Sequence, residues 1–144
     1  GGSMNRPAIY TYLVAAWIFL AAVAAQVFLA GLVVVARQIS WELHIGFGHL
    51  VGVPILPMLI TMYLAKLPGN MKRLTWLLFA VFFVQAEVII FMRDALPYVS
   101  AFHPVLALFD FAIVWTLIRH ASAVLSAPLP VTKEPIQVAV NPSK

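Results

Sequence analysis

The sequence contains no cysteine. That excludes disulfides, thiolate zinc sites, iron–sulfur ligation and covalent haem attachment through C-x-x-C-H, so any cofactor must be held by histidine, carboxylate, amide or packing. Charge is nearly as scarce, with Asp, Glu, Lys and Arg making up 10% of 144 residues where a soluble domain carries about 25%. A chain that is 63% hydrophobic cannot cover a water-facing surface with so few charges, and it belongs in a bilayer. Also missing are H-E-x-x-H, G-x-S-x-G and any glycine-rich phosphate loop, which excludes a hydrolase or kinase of familiar type. The basic residues stand singly or in pairs at the ends of apolar runs. They form no stripe that could follow a phosphate backbone, so the net charge of +4 does not imply a nucleic-acid partner.

What is present is a set of long apolar runs. Gly1-Gly2-Ser3 ahead of Met4 has the look of an expression scar, and residues 1–9 are expected to be that scar and a short N-terminal segment. The first run is too long for a signal-peptide core of about 7–15 residues and reads as a membrane span. Spans are expected at about Tyr10 to Ala36, Trp41 to Ala65, Leu74 to Met92, and Ser100 or His103 to Ala123. Ser40 stands where the second span needs an N-cap, and Pro54 and Pro57 should kink that span by removing backbone donors. Pro104 is tolerated in the first turn of the fourth. The expected fold is all-α, an up-down-up-down four-helix transmembrane bundle over residues 10–126, followed by a disordered cytoplasmic tail at 127–144 rich in proline.

Orientation follows from the basic flanks. Arg6, Lys66, Lys72, Arg73, Arg119, Lys133 and Lys144 fall on one side and only Arg37 and Arg93 on the other, which places both termini in the cytoplasm. The chain is thereby expected to be multi-pass. The second and fourth helices run parallel and should face each other diagonally across the core.

Polar residues are expensive in hydrocarbon, so their depth is informative. At about 1.5 Å per residue from the outer end, His44 lies roughly 6 Å in, His103 about 5–7 Å, Glu87 about 9 Å, Gln85 about 12 Å, His49 about 13 Å, Gln26 about 15 Å and Asp110 about 16 Å. All four helices contribute to this outer-half cluster. His103, Ala107, Asp110, Val114, Leu117 and Ala121 share one face of the fourth helix. On the second helix His44 shares a face with Gly48 and Val51, while His49 lies about 140° away. Gly48 and Gly52 form a G-x-x-x-G, which serves either close helix packing or room for a flat ligand.

Two histidines on diagonal helices at matched depth are what non-covalent haem b requires, namely two axial imidazoles and a slot for the ring. His103 is the first candidate; depth favours His44 as its partner, and the glycine surround and deeper burial favour His49. Ala107, Gly48 and Gly52 would border the ring, and Arg37 and Arg93, at the same end, would pair with its propionates. Glu87, Asp110, Gln26 and Gln85 are candidates to orient a ligating imidazole by hydrogen bonding or to relay a proton. Zinc or copper held by the histidines is the alternative cofactor, or none.

Val27-Phe28-Leu29-Ala30-Gly31-Leu32, Trp41-Glu42-Leu43-His44 with Gly48-His49, Phe83-Val84-Gln85 and Phe102-His103-Pro104-Val105 together resemble an uncharacterised family of small bacterial and archaeal four-helix membrane proteins. The resemblance covers most of residues 10–125, implies a topology and a place in a prokaryotic cytoplasmic (inner) membrane without an activity, and marks Gln26, His44, His49, Gln85 and His103. The arrangement is also similar in kind, by analogy of design, to small b-type membrane cytochromes. The leading expectation is a membrane haem protein in electron transfer or redox sensing, partnered by the lipid bilayer and by a quinone or a redox protein. The alternatives are a proton- or ion-coupled transporter or channel centred on Asp110 and Glu87, and a membrane scaffold or accessory subunit that forms homo-oligomers through its G-x-x-x-G.

Overall fold

The computed structural model describes residues 5–127. The proline-rich segment expected to form the tail, and the first four residues, lie outside them. Among the described residues there are four helices long and apolar enough to cross a membrane: α1 (Arg6–Val34), α2 (Trp41–Leu64), α3 (Gly69–Phe91) and α4 (Pro97–Ser126). Each exceeds the roughly 20 residues needed to span hydrocarbon. No strand occurs among the described residues.

Helix α1 starts earlier than expected, at Arg6 instead of Tyr10. The Asn5 side chain accepts a hydrogen bond from the Ala8 backbone N–H at 3.3 Å, and Pro7 sits in the first turn where no donor is needed. Helix α2 breaks where the prolines require it, into Trp41–Val51 and Ile55–Leu64. Ser40 occupies its N-cap position, but the hydroxyl donates to Glu42 Oε2 at 2.6 Å and leaves the backbone uncapped. The helix ends in a Schellman motif with Lys66 at φ 53°, where Leu67 N–H bonds to Met62 C=O and Lys66 N–H to Tyr63 C=O. Helix α3 holds a feature absent from the sequence reading, a π-helical turn at Val84–Val88. Helix α4 becomes regular at His103, after the short first turn Pro97–Ser100.

Each helix packs on its neighbours in sequence, and α4 closes the bundle on α1. The Arg6 guanidinium donates to the Leu125 carbonyl at 3.1 Å, which joins the start of α1 to the end of α4. Helices α2 and α4 therefore oppose each other on one diagonal, α1 and α3 on the other. The second diagonal is bridged by a hydrogen bond between Tyr12 and Thr75 at 2.6 Å and by edge-on packing of Phe19 on Phe82.

Packing is uneven along the bundle axis. All the buried residues of α1 fall between Ala8 and Val23, and they meet Met58 and Met62 of α2, Leu78 of α3, and Val114 and Leu117 of α4. The apolar core thus fills the half holding the N-terminus. The other half, where α2 and α4 begin, is the histidine end, and it contains a cavity.

Candidate functional site

The cavity measures about 160 Å³ and is partly open. Its surface is overwhelmingly apolar, supplied by Val23, Val27 and Ala30 of α1, Phe82, Ala86 and Ile90 of α3, and Pro104 and Ala107 of α4. Five polar side chains enter this wall, from Gln26, His44, His49, Gln85 and His103. Few polar groups converging on an apolar hollow is the common pattern of a cofactor or ligand site.

His44 and His103 face each other across the α2–α4 diagonal, with ring centroids 6.3 Å apart and ring planes inclined at 70°. His44 is buried and its Nδ1 has no hydrogen-bond partner. The Trp41 ring packs edge-on against it at 5.3 Å. His103 is oriented differently. Its Nδ1 lies 3.0 Å from the Gln85 carbonyl oxygen, and because a carbonyl can only accept, Nδ1 carries the proton and Nε2 of the neutral ring keeps its lone pair. That carbonyl lies in the π-helical turn, the kind of local widening that recurs at functional sites.

The amide of Gln85 extends the network inward. Its Nε2 donates to Asp110 Oδ2 at 2.6 Å, while Gln85 Oε1 and Asp110 Oδ1, both buried, have no partner among the described residues. Asp110 is fully enclosed and joins the cavity through Gln85. The face predicted for α4 is the inward one, since Asp110, Val114, Leu117 and Ala121 are all buried. On the opposite side Gln26 Nε2 donates to the His44 carbonyl at 2.7 Å. This approach needs Gly48, because a Cβ there would lie 2.8 Å from Gln26 Nε2. Gly52 admits the Phe82 ring in the same way, with Phe82 Cε1 2.3 Å from the position a Cβ would take. The G-x-x-x-G thus receives side chains of the chain itself, with Gly48 lining the cavity and Gly52 below it.

His49 does not share the diagonal with His103. It turns toward α3, where its Nδ1 lies 3.3 Å from Glu87 Oε1, with both side chains about half exposed. Arg37 and Arg93 stand apart from the cavity. Arg37 occupies the turn after α1 at φ 53°, and Arg93 pairs with its neighbour Asp94 at 3.6 Å. Of the residues expected from sequence, the structure gathers Gln26, His44, Gly48, His49, Gln85, His103 and Ala107 around one cavity, with Asp110 and Glu87 one contact further out. Sequence reasoning missed the aliphatic and aromatic wall, Phe82, Ala86 and Ile90 above all, because in a span that is apolar throughout nothing separates a lining residue from a lipid-facing one.

Residues 26–90 are similar to a family of unknown function, DUF6220. The matched segment covers under half of the chain, runs from Gln26 through the end of α3, and leaves α4 outside. It agrees with the resemblance to an uncharacterised family and carries no activity. No curated protein and no solved structure matches the chain.

The donor set discriminates between cofactors. Among the described residues no group of three or more His, Asp or Glu side chains is placed to hold a metal ion. Structural zinc takes four protein ligands and catalytic zinc three, so two imidazoles fall short of either. An iron porphyrin brings its own equatorial nitrogens and asks the protein for two axial ligands and apolar walls. A metal between two imidazoles, with metal–nitrogen bonds of roughly 2.0–2.1 Å, sets the ring centres on the order of 6 Å apart. The separation of 6.3 Å matches that requirement. The volume is smaller than the macrocycle, since about 150 Å³ suffices for a single benzene ring, so accommodation of the tetrapyrrole depends on the opening of the cavity.

Proposed function

We propose that the protein is an integral membrane b-type haem protein serving electron transfer or redox sensing, in which His44 and His103 would hold the haem. The observation that carries this reading is the opposition of the two imidazoles across the bundle diagonal at 6.3 Å, set in an apolar wall. The haem would supply a one-electron carrier. The chain's own residues do the positioning. The Gln85 carbonyl fixes the tautomer and ring plane of His103, and Asp110 holds the Gln85 side chain. Gln26, anchored on the His44 carbonyl, braces α2 against α1 at the same level. The distribution of basic residues supports both termini inside and the histidine end outside, as in a prokaryotic cytoplasmic membrane.

The test is a visible spectrum of the detergent-purified protein. A Soret band that shifts on dithionite reduction is expected in the wild type and in His49→Ala, and is expected to be lost in His44→Ala and His103→Ala. A preparation that stays colourless after addition of haemin would overturn the proposal. A second reading, a proton- or ion-coupled carrier, is supported by the enclosed Asp110, whose Oδ1 lacks a partner among the described residues. Proteoliposome proton flux reduced at least tenfold in Asp110→Asn would favour it, and equal flux in the two proteins would remove it.

A further inference from the structure

We propose that the opening between α2 and α3 at the histidine end is a docking site for the head group of a lipid-soluble quinone, with His49 and Glu87 as its hydrogen-bonding groups. The proposal names a partner for the redox reading and rests on that reading for its purpose, whereas the binding itself needs no cofactor.

The starting point is an anomaly of placement. Ionisable residues inside a membrane span normally face the bundle interior or a water-filled cavity. His49 and Glu87 are 58% and 49% exposed. Both lie within their spans, Glu87 about 6 Å from the end of α3 and His49 about 12 Å from the start of α2 at the helical rise. Together they form one polar spot on an apolar outer surface.

The helix packing explains why the spot sits there. The first segment of α2, Trp41–Val51, packs against α1, while contact between α2 and α3 is made by Ile55–Leu64 against Gly69–Phe83 and, at its upper end, by Gly52 against Phe82. Above that contact the two helices part, and His49 and Glu87 reach across at 3.3 Å. His49 also lines the cavity, with Ile45 beside it on α2 and Ala86 and Ile90 opposite on α3. The pair therefore stands where the cavity meets the bilayer, and a molecule reaching it from the side must be dissolved in lipid.

The chemistry of the pair selects the class of molecule. An acyl chain offers nothing to hydrogen bond. An anionic phospholipid head would be repelled by Glu87. In place of the 3.3 Å contact between the two side chains, a quinone oxygen would accept the imidazole Nδ1–H and the corresponding quinol hydroxyl would donate to the freed carboxylate, so the pair serves both redox forms. The ring itself is flat and apolar, suited to the aliphatic margins given by Ile45 and Ile90.

The experiment uses the full chain in nanodiscs of zwitterionic lipid, with a short-chain ubiquinone as the probe and quenching of intrinsic tryptophan fluorescence as the readout. Saturable binding is expected, weakened at least tenfold in the double variant His49→Leu/Glu87→Leu. Because both side chains are about half exposed and bond to each other, the double replacement by leucine leaves no buried polar group behind and should leave the thermal melt unchanged, so loss of binding cannot be laid to unfolding. Glu87→Gln should retain the oxidised quinone and weaken the quinol. Equal binding by the double variant and the wild type would overturn the proposal. So would efficient cross-linking of Ile45→Cys between two copies in a chain otherwise free of cysteine, because a second copy would then cover the pair. A colourless preparation that binds the probe through His49 and Glu87 would remove the haem reading and keep the docking site. A coloured preparation that does not bind would do the reverse.

Discussion

Three glycines in the first half of α2 provide an internally controlled experiment on how the site is braced. Each is replaced by alanine. At Gly46 an added Cβ meets nothing within 4 Å. Gly46→Ala should therefore gain the intrinsic helix preference of alanine, about 0.8–1.0 kcal/mol. At Gly48 the same gain is opposed, since the Cβ would lie 2.8 Å from Gln26 Nε2 and displace the bond that Gln26 donates to the His44 carbonyl. A hydrogen bond between membrane helices is worth about 0.6–1.7 kcal/mol, so Gly48→Ala should fall between about 0.4 kcal/mol stabilising and about 0.9 kcal/mol destabilising, in either case short of the gain at Gly46. At Gly52 the Cβ would fall 2.3 Å from Phe82 Cε1, a ring held against Phe19, and overpacking of that kind costs about 1–3 kcal/mol. The assay is reversible unfolding of the purified protein in mixed micelles with increasing SDS. The decisive arm is a double-mutant cycle: in a Gln26→Ala background, Gly48→Ala should become stabilising to the same degree as Gly46→Ala. If Gly48→Ala behaves identically in both backgrounds, Gln26 does not depend on the missing side chain, and the account of the glycine fails.

Other substitutions probe separate parts of the bundle. Asp110→Leu leaves the buried Gln85 amide without its acceptor and should cost about 1–3 kcal/mol, while the double variant Gln85→Leu/Asp110→Leu should recover much of that loss in the same SDS titration. Thr75 Oγ already donates to the Met71 carbonyl, so the Tyr12 hydroxyl must be the donor in the bond between them. Tyr12→Phe should accordingly lower stability by about 0.5–1.5 kcal/mol without changing the visible spectrum. Lys66→Gly relieves a left-handed backbone at the end of α2 and should raise stability by on the order of 1 kcal/mol, measured by thermal melting; a decrease would count against the strain. Arg93→Gln removes an exposed pair with Asp94 and should shift stability by less than about 0.5 kcal/mol, with no effect on any Soret band.

The architecture was legible because its signals are one-dimensional. Apolar runs bounded by Arg6, Arg37, Glu42, Lys66 and Arg93 define spans by length alone, and Pro54 and Pro57 announce the break in α2 by missing donors. Depth is one-dimensional too, and counting residues brought His44 and His103 to one level, where the structure places their rings together. The π-helical turn of α3 was not legible. It adds no unusual residue to the run Val84-Gln85-Ala86-Glu87-Val88, and its effect lies in a carbonyl accepting from a residue on another helix. Such a feature is fixed by tertiary contact. Likewise Arg37 and Arg93 are at the expected depth, yet depth carries no information about the direction in which a side chain leaves the helix.

Direction around the helix is what separated α4 from α2. Asp110 is the one carboxylate in the regular part of α4, and the cost of exposing it to lipid obliges its face to turn inward, which fixes His103 and Ala107 through the same stripe. Beyond Glu42 at its start, α2 has no charged residue to fix its rotation, and leucine, isoleucine or valine occurs all round it, so hydrophobic pattern alone gives no phase. In the structure its buried stripe runs Met62, Met58, Ile55, Val51 at alternating steps of four and three. Continuing that series toward the N-terminus reaches Gly48 and then His44, passing over His49. The stripe holds its phase through the Pro54 break, so the packing of the lower half decides which histidine faces the diagonal. His44 is therefore placed by methionines about four to five turns away, and a variant that rotates α2 there, for instance by moving bulk from Met58 to Leu59, should disturb the His44–His103 pairing without touching either ring.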